Sequence, residues 1–373
     1  MTNAERRILS IDIVRGAVMV LMAIDHVRVY AGVPAGGQHP AVFFTRWITH
    51  FCAPAFIFLA GTSAYLYGTK TSRSALAKFL VTRGLWLVLL ELTLLRFAWT
   101  FNFDYAHFTF AGVIWAIGWS MVVLAALVFL PTAAIATIGL VIIVAHNAIP
   151  WNESAPPLLR ILYFGGGFEA GPFFVMVLYS LIPWIGVMAA GYAFGAIMRR
   201  PEDERRRLCL RIGIAAVLLF LILRITGIYG DPSTWERPSP LSFIKTSKYP
   251  ASLQFLLMTL GPTLIALPLV EHARGRVARW LSVFGQVPFF YYVLHIPLIH
   301  LVAVAISMVR TPASTGWLFS NFPMMPPDVP EGYRWSLGLL YLVFALVVIT
   351  LYFPCRWYAR KKSESRATWM RFL

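Results

Sequence analysis

Runs of about 20 mostly apolar residues recur along this chain, separated by short stretches rich in arginine or in proline, glycine and aromatics. A helix needs roughly that length to cross the hydrocarbon core of a bilayer. Ten segments fit: roughly 8–31, 42–68, 77–100, 110–130, 132–149, 173–198, 212–229, 251–271, 280–309 and 335–357. Little more than Pro131 separates the fourth from the fifth, which predicts a tight hairpin. The ninth is long and holds Pro288 and Pro297, which predicts a kink or tilt. No internal repeat or low-complexity tract is visible. The pattern predicts an all-α fold, a polytopic bundle of about ten transmembrane helices forming one domain over residues 1–373.

The basic residues orient this bundle. Lys and Arg collect at the cytoplasmic ends of spans. With the N-terminus inside, the inner segments hold Arg6 and Arg7; Lys70, Arg73, Lys78 and Arg83; Arg199, Arg200, Arg205, Arg206, Arg207 and Arg211; and Arg274, Arg276 and Arg279. The C-terminal tail adds Arg356, Arg360, Lys361, Lys362, Arg366 and Arg371, so both termini are expected in the cytoplasm. The first span follows MTNAERR with no small-residue cleavage site and is read as retained, not as a removed signal. An inner, cytoplasmic membrane is the expected location. The alternate segments at 150–172, 230–250 and 310–334 are rich in Pro, Gly and aromatics and serve as connectors or as lids over an outward-opening site.

Composition agrees. Only 13% of the residues are charged and 59% are hydrophobic, against roughly 25% charged in a soluble globular protein. An ordinary soluble enzyme and a disordered chain are both excluded. The formal charge of +16 then records orientation and contact with anionic lipid, not nucleic acid. Cys52, Cys209 and Cys355 lie far apart, and no Cys/His ligand spacing occurs, so neither a disulfide framework nor a metal site is expected.

Ionisable groups inside the apolar segments carry the candidate chemistry, because charge in a membrane is costly unless it faces protein or water. The first span holds Asp12 and Arg15 near its inner end and Asp25 and His26 in its outer third. The second holds Arg46 and His50, four residues apart and so on one helical face. The third holds Glu91 and Arg96, the seventh Arg224, and the ninth His295 and His300; Lys248 and Tyr249 lead into the eighth, which carries Gln254. Most of these share the outer half of the membrane.

One spacing is sharper. The eleven helical steps from Arg15 to His26 rotate about 1100° and rise about 16.5 Å, so the two side chains point the same way. An elongated ligand with an anionic head and a reactive tail fits that face, the head on the Arg15 guanidinium and the tail at His26. Pairing of Arg15 with Asp12 is the plainer reading. Asp25 lies about 100° around the helix from His26 and is poorly placed to orient it, so a carboxylate from another helix is an equal alternative. No GxSxG elbow, Walker loop or HExxH occurs, and a histidine base fits direct transfer better than a serine-hydrolase route.

Five segments resemble one family. SIDIVRGAVMVLMAIDH (10–26) is similar to the first span of the transmembrane acyltransferase superfamily, one branch of which carries an Arg, ten residues, then a His. With FFTRWITHFCAPAFIFLAG (43–61), IPWIGVMAAGYAFG (182–195), TSKYPASLQFLLMTLGP (246–262) and FGQVPFFYYVLHIPLIH (284–300), it resembles the bacterial relatives of heparan-alpha-glucosaminide N-acetyltransferase. The resemblance implies a membrane enzyme that passes acetyl groups from cytosolic acetyl-CoA, with no metal, to a sugar amine or hydroxyl on the far side. It implies Arg15 as the donor-binding residue and His26 as base. The family's Asn near the outer end of span one falls at Asp25, and its loop histidine falls near His39. His26, His50 and His39 are thus rival bases, in that order, and Arg46, Arg96, Arg224, Lys248 and His295 are candidate substrate or oxyanion groups. The partners implied are acyl donor, a glycan or other small polar acceptor, and lipid; a homo-oligomer is left open. A transporter or flippase for a polar or glycolipid substrate is the main rival, and a structural or lipid-binding protein the third.

Overall fold

The computed structural model describes residues 8–36, 39–321 and 329–365. Arg6, Arg7, Arg366 and Arg371 lie outside the described residues.

In chain order, α1 (Leu9–Tyr30) is followed by α2 (Pro40–Gly68), which starts on Pro40 and tightens into a 3-10 turn over Ile48–Phe51. A proline at the first helical position costs no hydrogen bond and presets φ. The third helix, α3, runs over 73–100: Ser72 caps it by accepting from the Ala75 N–H, and a π turn occupies Glu91–Leu95. Strand β1 (Thr109–Ala111) leads into α4 (Val113–Leu127), and α5 (Thr132–Ala145) begins just after Pro131. Strands β2 (Gly166–Ala170) and β3 (Phe173–Val177) form an antiparallel hairpin, with β1 parallel to β3 on its other edge. Helices α6 (Leu181–Met198) and α7 (Glu202–Thr226) follow. Glu202, Asp203 and Glu204 complement the dipole at the start of α7, and Gly227 ends it in the left-handed conformation. Then come α8 (Leu253–Leu269), α9 (Arg276–Gln286), α10 (Pro288–Arg310) and α11 (Leu337–Glu364).

Among the described residues five helices are long and apolar enough to cross a membrane: α2, α6, α7, α10 and α11. Three shorter apolar helices are α4, Thr132–Ala148 and α8. Helix α1 has 22 residues but carries Asp12, Arg15, Asp25 and Arg28. The chain is therefore a mostly helical membrane protein.

Two expectations of continuous helix are corrected. The apolar run 173–198 begins as strand β3 and becomes helical only at Leu181. A continuous apolar run does not by its periodicity distinguish a buried strand from a buried helix. The run 280–309 is two helices, broken at Val287 ahead of Pro288. The residue before a proline is pushed out of helical conformation, and Val287 has φ −132° and ψ 51°.

Contacts divide the chain into two compact units. The first comprises the chain through Cys52, Pro262–Thr315 and the part from Val329 on; the second comprises Ala53–Gly261 and the segment after Thr315. In the first unit α9 lies antiparallel on α1 at backbone contact. A Cβ on Gly16 would stand 1.9 Å from the Leu281 carbonyl oxygen, and one on Gly285 1.9 Å from that of Asp12. Small residues allow such close approach, on which packing between membrane helices depends. In the second unit α3 and α4 meet the same way at Gly84 and Gly118.

Candidate active site

In the first unit Arg15 and His26 of α1 meet α9 and α10. Arg15 is half-buried, and its Nη1 donates to the Gly285 carbonyl at 3.4 Å. Eleven residues on, His26 Nδ1 lies 2.6 Å from His295 Nε2 of α10, the two rings stacked with centroids 4.8 Å apart. Both α1 side chains are therefore turned toward the segment around the α9–α10 break.

The hydrogen bonds of the pair settle its proton positions when it is neutral. His295 Nδ1 faces the carbonyl oxygens of Tyr292 at 2.7 Å and Tyr291 at 3.1 Å. Carbonyl oxygens only accept, so this nitrogen carries the proton and His295 Nε2 carries a lone pair. His26 Nδ1 must then be the donor across the 2.6 Å contact, which leaves the His26 lone pair on Nε2. A neutral imidazole with its lone pair held at a defined nitrogen is a base with a fixed direction.

Packing holds both rings. His295 is fully buried, stacked on Tyr291 at 5.1 Å and edge-on to Tyr292. The end of α1 is clasped by the segment before α11: Tyr333 Oη donates to the Tyr30 carbonyl at 2.6 Å, Trp335 N to that of Ala31, and Arg334 Nε to that of Gly32. His300 lies against the Tyr30 ring at 4.7 Å.

The other sequence candidates of this unit make further contacts. Asp25 accepts from Arg28 Nε at 2.7 Å, and Arg28 Nη1 also donates to the Val33 carbonyl. A histidine ring touches the Nδ1 of His26, a partner that the reading of Asp25 or a carboxylate from another helix did not include. His50 is buried in the 3-10 turn of α2, and His39 is exposed at the start of that helix. Arg46 is half-buried; Nη1 donates to the Ala35 carbonyl at 3.1 Å, and Nε, buried, has no acceptor among the described residues.

A second feature of the unit lies on α9 and α11. Arg276, Val277, Arg279, Trp280 and Tyr352 line an open pocket of about 450 Å³, and the Trp280 and Tyr352 rings stack at 6.2 Å. Sequence reading counted the two arginines as orientation signals only; nothing in the linear pattern places Tyr352 beside them.

Arg96, Arg224 and Lys248 belong to the second unit. Arg96 is fully buried and is taken up by the loop after α3. Its Nε donates to the Phe108 carbonyl, Nη1 to Asn102 O and Oδ1 and Thr100 Oγ1, and Nη2 to Asp104 O and Asn321 Oδ1. In that loop the hydrogen bond from His107 holds the Asp104 carboxyl below the usual range. Arg224 likewise donates to the carbonyls of Phe243, Ser233, Ser242 and Lys245 and to Gln254 Oε1. Both guanidiniums organise connecting loops. Lys248 is buried between the rings of Tyr249 and Tyr179, with Nζ 5.2 and 5.9 Å from their centroids.

Fold and site define a helical membrane protein with a paired-histidine centre. The family model described as heparan-alpha-glucosaminide N-acetyltransferase, catalytic, matches residues 7–226 of the 373. The chain belongs to this family of membrane acetyltransferases, as the resemblance read from its motifs implied. The matched region carries Arg15 and His26; α9, α10 and His295 lie beyond it. A search of curated proteins gave no match.

Proposed function

We propose that this protein transfers an acetyl group from cytosolic acetyl-CoA to an amine or hydroxyl of a sugar or other small polar acceptor across the inner membrane. His26 is the base and His295 the residue that positions it. The observation that carries this reading is the 2.6 Å contact of His26 Nδ1 with a His295 ring whose other nitrogen is tied to backbone carbonyls.

In the reaction, His26 Nε2 removes the proton from the acceptor nitrogen or oxygen as that atom attacks the thioester carbonyl. The tetrahedral adduct then collapses, the carbon–sulfur bond breaks, and the imidazolium returns its proton to the departing thiolate. The cation formed on His26 is shared with the His295 ring through the short contact. A histidine acting this way contributes typically 10²–10⁴-fold. The donor's phosphates and adenine suit the pocket at Arg276, Arg279, Trp280 and Tyr352, since guanidinium forks match phosphate and aromatic faces stack on a base. Arg15 then lies along the donor's length. Of the candidate oxyanion arginines, Arg46 keeps a donor without an acceptor among the described residues, whereas Arg96 and Arg224 are spent on loop oxygens. His50 and His39 remain the alternative bases, and Asp25 supports the end of α1 through Arg28. The arginine-rich segments between spans support a cytosolic donor side and contact with anionic lipid.

The test is incubation of the purified protein with radiolabelled acetyl-CoA and a panel of amino sugars and neutral sugars. Label in a sugar product supports the reading. Uptake of an unmodified sugar into reconstituted vesicles, with no acetyl transfer, would replace it with a transporter.

A further inference from the structure

Among the described residues of the second unit three cations, Arg96, Arg224 and Lys248, are buried, and they are treated differently. Arg96 and Arg224 have their N–H groups directed at carbonyl, amide or hydroxyl oxygens. Lys248 is 8% exposed, yet among the described residues no oxygen accepts from its ammonium; its neighbours are two tyrosine faces. Cation–π attraction replaces part of the lost hydration, but it leaves the ammonium's three N–H donors without a protein acceptor among the described residues.

The acid on the adjoining loop is engaged elsewhere. Asp231 Oδ1 accepts from the N–H and hydroxyl of Ser233, and Oδ2 accepts from the Ser247 N–H at 2.8 Å and the Ser252 hydroxyl at 2.6 Å. This carboxylate braces both sides of Lys248. The Ser252 N–H also donates to the Ser247 carbonyl, Lys248 pairs with Ala251, and the Leu253 N–H donates to Asn147 Oδ1. Tyr179 is fixed in turn against Trp184 at 5.4 Å and Tyr249 at 5.3 Å. The ammonium is thus held between two aromatic walls on a loop tied by these hydrogen bonds, with no carboxylate in salt-bridge contact among the described residues.

We propose that Lys248, framed by Tyr179 and Tyr249, is a binding subsite for the oxyanion of a small polar molecule, a carboxylate or phosphate carried by an acidic sugar being the class that fits. The aromatic faces pack against the ligand's C–H groups, and its oxygens supply the acceptors that the ammonium lacks. The site stands independently of acetyl transfer and is tested by binding alone.

The experiment follows the unfolding midpoint of the detergent-solubilised full chain against glucuronate, inorganic phosphate and glucose, at constant ionic strength. Parallel samples in vesicles of phosphatidylglycerol serve as the lipid arm. Ligand that binds the folded state raises the midpoint by mass action. Glucuronate or phosphate should raise it saturably in the parent and in Lys248→Arg, with glucose inert. Lys248→Met should bind at least about tenfold more weakly, while its unfolding midpoint without ligand stays close to the parent's. A Lys248→Met protein that unfolds earlier and shows the parent's response to glucuronate would make the residue a structural post and overturn the proposal. So would a parent that responds to phosphatidylglycerol alone, or to no oxyanion.

Discussion

Replacing His295 with leucine keeps a buried side chain in α10 but removes the acceptor for His26 Nδ1–H. A neutral hydrogen bond contributes about 0.5–1.5 kcal/mol net, and leaving its buried donor without a partner costs about 1–3 kcal/mol. At about 1.4 kcal/mol per factor of ten, the fraction of His26 holding its lone pair at Nε2 in the productive orientation falls roughly 10–100-fold. The turnover rate, kcat, should fall by that factor with the KM for acetyl-CoA unchanged, since the pair holds no part of the donor's head. His26→Ala should cost more, about 10²–10⁴-fold. Residues acting as one unit are not additive, so the double variant should be no slower than His26→Ala alone. His295→Gln, whose amide oxygen can accept from His26 Nδ1, should recover most of the loss. The assay is steady-state acetyl transfer by purified variants with matched unfolding midpoints. A His295→Leu enzyme with the parent's kcat, or a double variant slowed by both factors multiplied, would refute the relay.

Three further outcomes follow from the same geometry. Arg276→Gln with Arg279→Gln should raise the KM for acetyl-CoA about tenfold while leaving transfer from acetyl-pantetheine, which lacks the nucleotide, unchanged; equal slowing with both donors would remove the pocket from the donor's path. Gly285→Ala should destabilise the first unit by about 1–3 kcal/mol or more, because its Cβ would fall 1.9 Å from the Asp12 carbonyl oxygen, whereas Gly275→Ala, with nothing within 4 Å, should leave the unfolding midpoint within experimental scatter. Arg96→Ala should lower the yield of folded protein, and Arg96→Lys should not restore it, because one ammonium cannot reach oxygens spread around a planar fork; normal folding of either, measured by size-exclusion profile, would show that the loop has other anchors.

Much of α1 was legible in the linear pattern. The spacing of Arg15 and His26 is a property of helical periodicity, and the two side chains do turn to one side, toward Gly285 and His295. The partner of His26 was not legible as such, because it sits 269 residues away and nothing local marks which of eight histidines will meet which. His295 read as one polar residue among several at similar depth. Arg96 and Arg224 had the same signature as a site residue, a charge in an apolar run. Only the folded loops reveal that carbonyls from Phe108 to Asp104, and from Ser233 to Lys245, close around them. The three-stranded sheet was hidden because FFVMV continues without a polar break toward α6, and the break at Val287 because QVP reads equally well as a kink.

The central claim is that His26 carries the proton in acetyl transfer, and single-turnover kinetics measures this most directly. Excess protein is mixed with labelled acetyl-CoA and a sugar acceptor that the parent acetylates, and the parent is compared with a His26→Ala variant of equal stability and equal affinity for the donor. The account predicts that the chemical step slows by at least about 10²-fold in the variant while donor binding is preserved. Transfer at the parent's rate from His26→Ala would contradict it and return the search for the base to His50 and His39.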